Sequence, residues 1–249
     1  MSPLLLDEVL EAHGGVDRWR AARAISARVS LSGPFWDLRA VPASRRTNVS
    51  VGIQLHHQVV SLSQWTDAEH RFVLRTNPDV ATMTAGEFVE PEVRHNPRAS
   101  FPTAPDAHWD QMQANYFVGY AMWNYLTTPY LLTFPGVRTF EMKPWTDDGH
   151  KWRRLGVHFP PTIATHSPQQ VFYFNDAGLL QRLDYHVEVS GGAPAAHYVD
   201  EYVEVDGLKF PRRRMVFLRR ADNTPDREAY PASNGMVIDA AIDHIVVTS

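Results

Sequence analysis

Two hairpins are encoded in the segments FYFNDAGLLQRLDYHVEV, residues 172–189, and AAHYVDEYVEVDGLKFPRRRMVF, residues 195–217. Apolar and polar residues alternate along much of both segments, a pattern typical of strands with one buried face. The turn sequence Asn175 to Gly178 interrupts the first segment, and Asp206-Gly207 interrupts the second. Because an Asp-Gly pair between two alternating runs is a strong hairpin signal, these segments predict an antiparallel sheet.

The same pattern continues on both sides of these hairpins. Further turn sequences are Asp148-Gly149, Ser190 to Gly192 and Asn223 to Pro225. They separate six predicted strands, which are Lys151–Phe159, Gln170–Phe174, Leu179–Val189, Ala196–Val205, Leu208–Arg220 and Met236–Thr248. Six consecutive strands with short connections predict an antiparallel meander over residues 151–249.

The first half of the chain begins with helical patterns. Apolar residues at helical spacing, followed by Gly14 and Gly15, predict short helices within residues 1–24. Alternation from Ile25 to Leu31 predicts a first strand. Residues 77–105 contain five prolines, so we expect a long irregular excursion there with one short strand at most.

A charge-free aromatic stretch, YFVGYAMWNYLTTPYLL, occupies residues 116–132. Asp106 is a suitable N-cap and Pro129 a suitable stop, so we predict a helix over residues 106–128. Apolar side chains occupy several of its faces, so other elements must enclose it. Its dense apolar part, Tyr116 to Leu126, is about half the roughly 20 residues that a bilayer requires, and we expect no membrane span.

Composition and charge exclude several classes of function. The 249 residues carry a net charge of −4, which gives no reason to expect nucleic acid as a partner. The absence of cysteine excludes disulfides, thiolate metal sites and a cysteine nucleophile. The N-terminus lacks the basic and apolar regions of a secretory signal, so we expect a cytoplasmic protein. Neither a serine nucleophile elbow nor a Walker or dinucleotide-binding loop occurs, and we expect no cofactor.

The two hairpin segments resemble the later strands of the LolA/LolB-like lipoprotein-carrier superfamily. There a motif of the form DY.EVDG..FP, similar to EYVEVDGLKFP at residues 201–211 of this chain, closes one hairpin of a curved sheet. The opening segment LEAHGGVDRWRAARAISARVSLSG, residues 10–33, is similar to the N-terminal helix and first strand of these proteins. The resemblance implies an unclosed barrel that holds an apolar cavity. At least one pigment-pathway enzyme without a separate cofactor shares that fold, so the resemblance is compatible with catalysis as well.

Together these features predict one α+β domain over residues 1–249. We expect a strongly curved antiparallel sheet of about eight to eleven strands, a half-barrel, wrapped around the central aromatic helix and accompanied by short N-terminal helices.

The candidate catalytic residues lie on and beside the predicted strand 179–189. Arg182, Asp184 and His186 share one of its faces. This face is either an ordinary solvated surface or a site in which Asp184 orients His186 as a general base. His166 with Tyr173 is a second candidate pair for proton transfer.

Candidate ligand-binding residues come from the central helix and the meander. Phenol, indole and amide groups need partners once buried, so we expect part of the helix to line a ligand cavity, with core packing as the alternative. The residues expected to bind ligand are Tyr116, Tyr120, Trp123, Asn124, Phe172, His158, His197 and Arg182.

Two further groups of residues have alternative interpretations. His158, His166 and His197 could converge on zinc or iron, but no close-spaced ligand motif accompanies them, so we expect no metal. The arginines between Arg212 and Arg220 indicate a solvated edge or a salt-bridged strand or, alternatively, a clamp for an anion or carboxylate. We expect the protein to bind a hydrophobic or aromatic small molecule. The alternatives are a cofactor-independent isomerase, dehydratase or hydrolase, and a lipid or lipoprotein carrier.

Overall fold

The structure is a computed structural model that describes residues 4–63, 70–76, 79–85, 89–104, 106–147 and 149–249. These residues contain four α-helices: α1 (Leu5–Ala12), α2 (Val16–Ala21), α3 (Pro34–Leu38) and α4 (Gln111–Thr127). They also contain thirteen strands: β1 (Ala24–Ser32), β2 (Val49–Gln54), β3 (Val59–Ser63), β4 (His70–Arg75), β5 (Val80–Ala85), β6 (Glu92–His95), β7 (Arg138–Asp147), β8 (His150–His158), β9 (Gln169–Phe174), β10 (Leu180–Val187), β11 (Ala193–Val205), β12 (Leu208–Leu218) and β13 (Met236–Thr248).

All thirteen strands belong to one antiparallel sheet. Their order is β6-β5-β4-β3-β2-β1-β13-β12-β11-β10-β9-β8-β7, so two meanders meet where β1 pairs with β13. The sheet does not close, because β6 and β7 form its two edges. At β7 the pairing with β8 shifts register between Met142 and Trp145, around Pro144, a residue that has no N–H to donate to a ladder.

The sheet curves around α4. Gly119 in the middle of the helix approaches Phe72 and Leu74 of β4, whereas Tyr125 one and a half turns later contacts His197 of β11. In a flat sheet β4 and β11 would lie roughly 29 Å apart at 4.8 Å per strand, which is far wider than a helix of about 10 Å. The concave face of the sheet therefore surrounds the helix on several sides.

Every residue of α4 from Met112 to Thr127 is buried, which agrees with the enclosure that its apolar pattern predicts. The predicted α+β fold, a curved and unclosed antiparallel sheet around an aromatic helix, is confirmed. The helix starts later than predicted, at Gln111 and not at residue 106. Asp110 is the actual N-cap: it accepts a 2.8 Å hydrogen bond from the backbone of Gln113, whose side chain accepts one from the backbone of Asp110. Pro105 lies outside the described residues.

Two other predictions of secondary structure need correction, the number of strands and the irregular excursion over residues 77–105. The sheet has thirteen strands and not eight to eleven, because β5 and β6 occupy part of the predicted excursion 77–105 and β7 had not been predicted. The six strands predicted between residues 151 and 249 are all present, with ends shifted by up to three residues. Strand β7 carries Glu141, Lys143 and Pro144 at a sheet edge, where the alternation that marks a half-buried strand is weak.

The convex face of the sheet is partly covered as well. After β12 the chain folds back over this face, where Asn223 contacts Arg182 and Tyr173. The guanidinium of Arg227 lies 5.8 Å from the ring of Tyr198 and 5.0 Å from that of Phe217. The sheet therefore has polar side chains enclosed on both of its faces.

None of the helices within the described ranges is long and apolar enough to cross a membrane.

Candidate functional site

A buried polar cluster lies where the second half of α4 meets the concave face of the sheet. It contains residues from α4, from the loop between β8 and β9, and from strands β10, β11 and β12. We call it the inner cluster; its members are Tyr120, Tyr125, His166, Tyr185, His197 and Arg214.

His166 is held on three sides by aromatic residues. Its Nδ1 is 3.0 Å from the hydroxyl of Tyr120, and its Nε2 is 3.1 Å from the hydroxyl of Tyr125. Its ring stacks on that of Tyr185 with centroids 4.2 Å apart and planes 9° apart. Burial, with a smaller effect of the Arg98 charge, lowers the pKa of His166 to about 3, so the ring is neutral near pH 7. One of the two phenols must then donate a hydrogen bond to the ring while the other accepts one.

The loop that carries His166 is held in place by hydrogen bonds to its backbone oxygens. Arg98 donates from Nη1 to the carbonyl oxygen of Thr165 at 2.8 Å and from Nη2 to that of His166 at 3.2 Å. The same guanidinium forms a 2.6 Å ion pair with Glu188. His166 is therefore a rigid part of the wall with both ring nitrogens occupied.

His197 has one occupied ring nitrogen and one free one. Its Nδ1 lies 3.1 Å from the hydroxyl of Tyr185, and its ring meets that of Tyr125 edge to face at 4.8 Å. The Nε2 atom is buried and has no hydrogen-bond partner among the described residues. Burial lowers the pKa of His197 well below its usual value, so the free nitrogen belongs to a neutral ring.

Arg214 completes the cluster from β12. It is 1% exposed, its guanidinium carbon lies 4.2 Å from the centre of the Tyr125 ring, and Nη2 donates to the backbone oxygen of Tyr125 at 2.9 Å. Its Nε and Nη1 atoms have no partner in the described part of the chain. Burial lowers the pKa of Arg214 to about 10, which still leaves it charged at neutral pH.

Two cavities border this cluster. The larger one, which we call the inner cavity, has a volume of about 180 Å³; its lining includes His166, Tyr185, Phe117, Arg39 and Tyr230. A smaller cavity of about 20 Å³ is lined by His197, Arg214 and apolar side chains. The two cavities share four lining residues: Phe117, Tyr125, Val216 and Ile238. Apolar walls with a few convergent polar groups are the usual form of a small-molecule site.

Three of the residues predicted to be functional, Tyr120, His166 and His197, are thus brought together at the inner cluster. The remaining helix and core residues lie elsewhere. The indole of Trp123 donates to the backbone oxygen of Gln54 at 2.8 Å, and Asn124 donates to that of Ala164 at 3.1 Å. Tyr116 lines a separate cavity of about 400 Å³ with Arg98, and Phe172 is buried in the hydrophobic core.

The other predicted residues lie on or open to the convex face. There Arg182 and Asp184 form a buried ion pair, with Nε 2.7 Å from Oδ1, and Tyr173 donates to the second carboxylate oxygen at 2.6 Å. Arg182 also donates to the hydroxyl of Tyr198 at 3.0 Å and to the backbone oxygen of Asn223 at 2.7 Å. We call these five residues the outer cluster. This face is therefore neither simply solvated nor part of the half-barrel interior, because the chain after β12 covers it.

The predicted catalytic pairs are not assembled in this arrangement. His186 is exposed, and in the described residues no hydrogen bond joins its side chain to Asp184. Tyr173 lies on the convex face while His166 lies inside, so the sheet separates them. His158, His186, Tyr173 and Asp184 instead border an outer groove of about 810 Å³, whose lining also includes Phe140, 60% exposed.

The three histidines considered as metal ligands are likewise divided between the two faces, with His158 outside and His166 and His197 inside. Within the described ranges, no group of three or more histidine, aspartate or glutamate residues has an arrangement that could hold a metal ion.

Three members of the inner cluster, Tyr125, Tyr185 and Arg214, are not among the site residues that the sequence predicts. Tyr185 alternates in phase with Leu183 and Val187, so the pattern places it on the apolar face. Its hydroxyl group is the one signal that distinguishes it from these neighbours. Arg214 was grouped with the arginines of the salt-bridged strand. Arg212 and Arg213 do form ion pairs, 3.2 Å from Asp243 and 3.3 Å from Asp239 respectively, whereas Arg214 points inward.

No protein-family model and no curated protein matches the sequence. Among solved structures, a DUF1329 family protein from Desulfovibrio piger is similar over 98% of this chain and 91% of its own, with a TM-score of 0.54 and 9% identity. A LolA superfamily protein from Nitrosomonas europaea has a TM-score of 0.45 and 10% identity over 99% of this chain and 95% of its own. A putative outer membrane lipoprotein-sorting protein domain from Vibrio parahaemolyticus has a TM-score of 0.44 and 8% identity over 98% and 91%. The chain thus shares its fold with the DUF1329 protein, and at 9% identity this likeness concerns the fold alone.

Proposed function

We propose that this protein binds a hydrophobic small molecule in the inner cavity, between α4 and strands β10 to β13. The observation that carries the proposal is the composition of that cavity. Its walls are mostly apolar, its volume is about 180 Å³, and the histidine–tyrosine cluster lies at one end. A cavity of about 150 Å³ lined by apolar side chains is large enough to take up a molecule such as benzene.

The site is also preorganised. His166 has both ring nitrogens bonded, and its loop is held by Arg98, so the polar end of the cavity needs no rearrangement before a ligand enters. Preorganised walls reduce the free-energy cost of ordering side chains on binding.

The test fills the cavity with a larger side chain. Ala195 on β11 lines the inner cavity and is buried, and Ala241 on β13 is exposed. We expect wild-type protein to bind 1-naphthylamine, a small fluorophore of two fused rings that is neutral at pH 7.5, saturably and with one site. Ala195→Phe should weaken this binding by at least about tenfold, the loss expected when most of one apolar contact surface is removed. The matched control Ala241→Phe should bind as the wild type does.

Two results would overturn the proposal: wild-type protein that shows no saturable binding, or Ala195→Phe protein that folds normally and binds with unchanged affinity. Circular dichroism and a thermal melt of each variant establish that the comparison is made on folded protein.

A further inference from the structure

The charge of Arg214 has no counter-ion in the described part of the protein. Its neighbours Arg212 and Arg213 point outward and pair with Asp243 and Asp239. Arg214 makes one hydrogen bond, to a backbone oxygen, and its Nε and Nη1 lack partners. The single N–H of Nε and the two of Nη1 are therefore unused. A buried charge without a partner costs several kcal/mol, so the position is unfavourable for the stability of the ligand-free protein.

The phenols around Arg214 do not supply the missing negative charge. They belong to Tyr125, Tyr185 and Tyr202. Burial raises the pKa of each of these tyrosines, that of Tyr185 well above its usual value, so all three are neutral at pH 7.

The lining of the cavities is cationic and has no acid. Neither the inner cavity nor the small cavity beside it has an aspartate or glutamate among its described lining residues. Arg214 lines the small cavity, and another buried arginine, Arg39, lines the inner cavity, where its guanidinium packs 4.9 Å from the Trp109 ring. A low-dielectric space with buried cations and no anion favours a ligand that brings the negative charge with it.

We propose that the ligand is a hydrophobic carboxylic acid whose carboxylate binds Arg214, with His197 Nε2 as an additional hydrogen-bonding group. This inference rests on the proposed binding of an apolar molecule in the inner cavity and adds the chemical class of its polar end. A planar guanidinium with free N–H donors matches the two oxygens of a carboxylate. The small cavity is lined by both groups and shares four wall residues with the inner cavity. Its volume of about 20 Å³ holds one water-sized group, so we expect the shared side chains to move apart when the carboxylate of a ligand in the larger cavity enters.

The experiment compares acids with amides of the same shape. The pairs are octanoate with octanamide and 3-phenylpropanoate with 3-phenylpropanamide, each tested for displacement of 1-naphthylamine at pH 7.5. The amide is uncharged and retains the apolar body, so the ratio of the two affinities measures the preference for charge. We expect wild-type protein to bind the better acid at least about tenfold more tightly than its amide, which is the size expected for a charge-assisted hydrogen bond.

Arg214→Met removes the charge and keeps most of the volume. We expect this variant to bind acid and amide within about threefold of each other, mainly through loss of affinity for the acid. Arg213→Met, which removes the neighbouring surface arginine, is the matched control and should retain the wild-type preference.

The outcomes separate the two proposals. If the fluorophore binds and the amides compete as well as the acids, a water molecule or another neutral group satisfies Arg214, and the carboxylate inference is overturned while the binding proposal stands. If neither the fluorophore nor any test compound binds, the binding proposal itself is overturned. Should Arg214→Met not fold, the acid-to-amide ratio of the wild type alone decides the question.

Discussion

Asp184 and Tyr185 are adjacent in β10, yet their side chains belong to two different buried polar clusters on opposite faces of one sheet. Asp184 pairs with Arg182 and accepts from Tyr173 in the outer cluster. Tyr185 stacks on His166 and bonds to His197 in the inner cluster. Because side chains alternate along a strand, β10 carries both clusters without any irregularity of its backbone at this point.

The outer cluster should contribute to stability and not to ligand binding. Asp184→Asn leaves Arg182 buried without its carboxylate, so we expect the free energy of unfolding to fall by about 3–5 kcal/mol in urea denaturation. His186→Gln, at the exposed position two residues further on, should change it by less than about 0.5 kcal/mol. Equal effects of the two substitutions would show that the ion pair contributes little.

The buried histidines should make stability depend on pH below neutrality. His166 has a pKa of about 3 when folded and an ordinary value of 6.5 when unfolded. Between these values the unfolded chain binds the additional proton, so stability is complete above about pH 6.5 and decreases as pH falls towards 3. Each such histidine contributes up to about 1.4 kcal/mol per pH unit.

His13, whose pKa burial lowers to about 4, adds to this dependence. Urea denaturation from pH 4.5 to 7.5 measures the slope, and His166→Phe should reduce it by about 1 kcal/mol per pH unit. An unchanged slope in His166→Phe would contradict a neutral, buried His166.

Each of the two tyrosine hydroxyls that hydrogen-bond to His166 should be required to keep the His166 ring buried. Tyr120→Phe leaves Nδ1 without a partner, and Tyr125→Phe leaves Nε2 without one, so each should cost about 1–3 kcal/mol of stability. In a His166→Phe background the same substitutions should cost much less, because the ring nitrogens are then absent. A double-mutant cycle from chemical denaturation gives this coupling, and strictly additive effects would contradict it.

The close approach of α4 to β4 should require a small residue at position 119. A Cβ at Gly119 would lie 3.3 Å from Cε1 of Phe72 and 3.6 Å from Cδ2 of Leu74. Gly119→Leu should therefore destabilise the protein by roughly 1–3 kcal/mol through overpacking. Gly119→Ala serves as the control, since a helix-propensity gain of about 1 kcal/mol offsets its tight contact. A Gly119→Leu variant as stable as the wild type would show that the helix can move away from the sheet.

The fold was largely predictable from local sequence patterns, but the first residue of α4 was not. Asp-Gly turns and alternation identified the strands of the second half because both signals are local. Asp106 and Asp110 are equally good N-caps by residue type, and the choice depends on Gln113 completing a reciprocal pair of hydrogen bonds with Asp110. It also depends on Trp109, whose backbone N–H donates to Arg39 and so remains outside the helix.

The candidate site was predictable only in part. Alternation correctly placed Arg182, Asp184 and His186 on one face of a strand, but it does not reveal that residues after β12 cover that face. Likewise, strand pairing decides that Arg214 is the arginine whose side chain points inward. Its partner residue in β13 is the buried Ala240, whereas Arg213 pairs with the exposed Ala241. Such pairings join residues distant in sequence, so a local pattern contains no information on them.

The two edge strands of the open sheet influence whether the protein aggregates at high concentration. Unpaired backbone groups at a sheet edge can recruit strands from other molecules, which is a common route to aggregation. Here one edge, β6, is only four residues long and carries Glu92 and Arg94. The other edge, β7, contains Lys143 and the register shift around Pro144, which interrupts a continuous ladder. This half-barrel is open, and the features of its two edge strands make them poor templates for association with another copy of the protein.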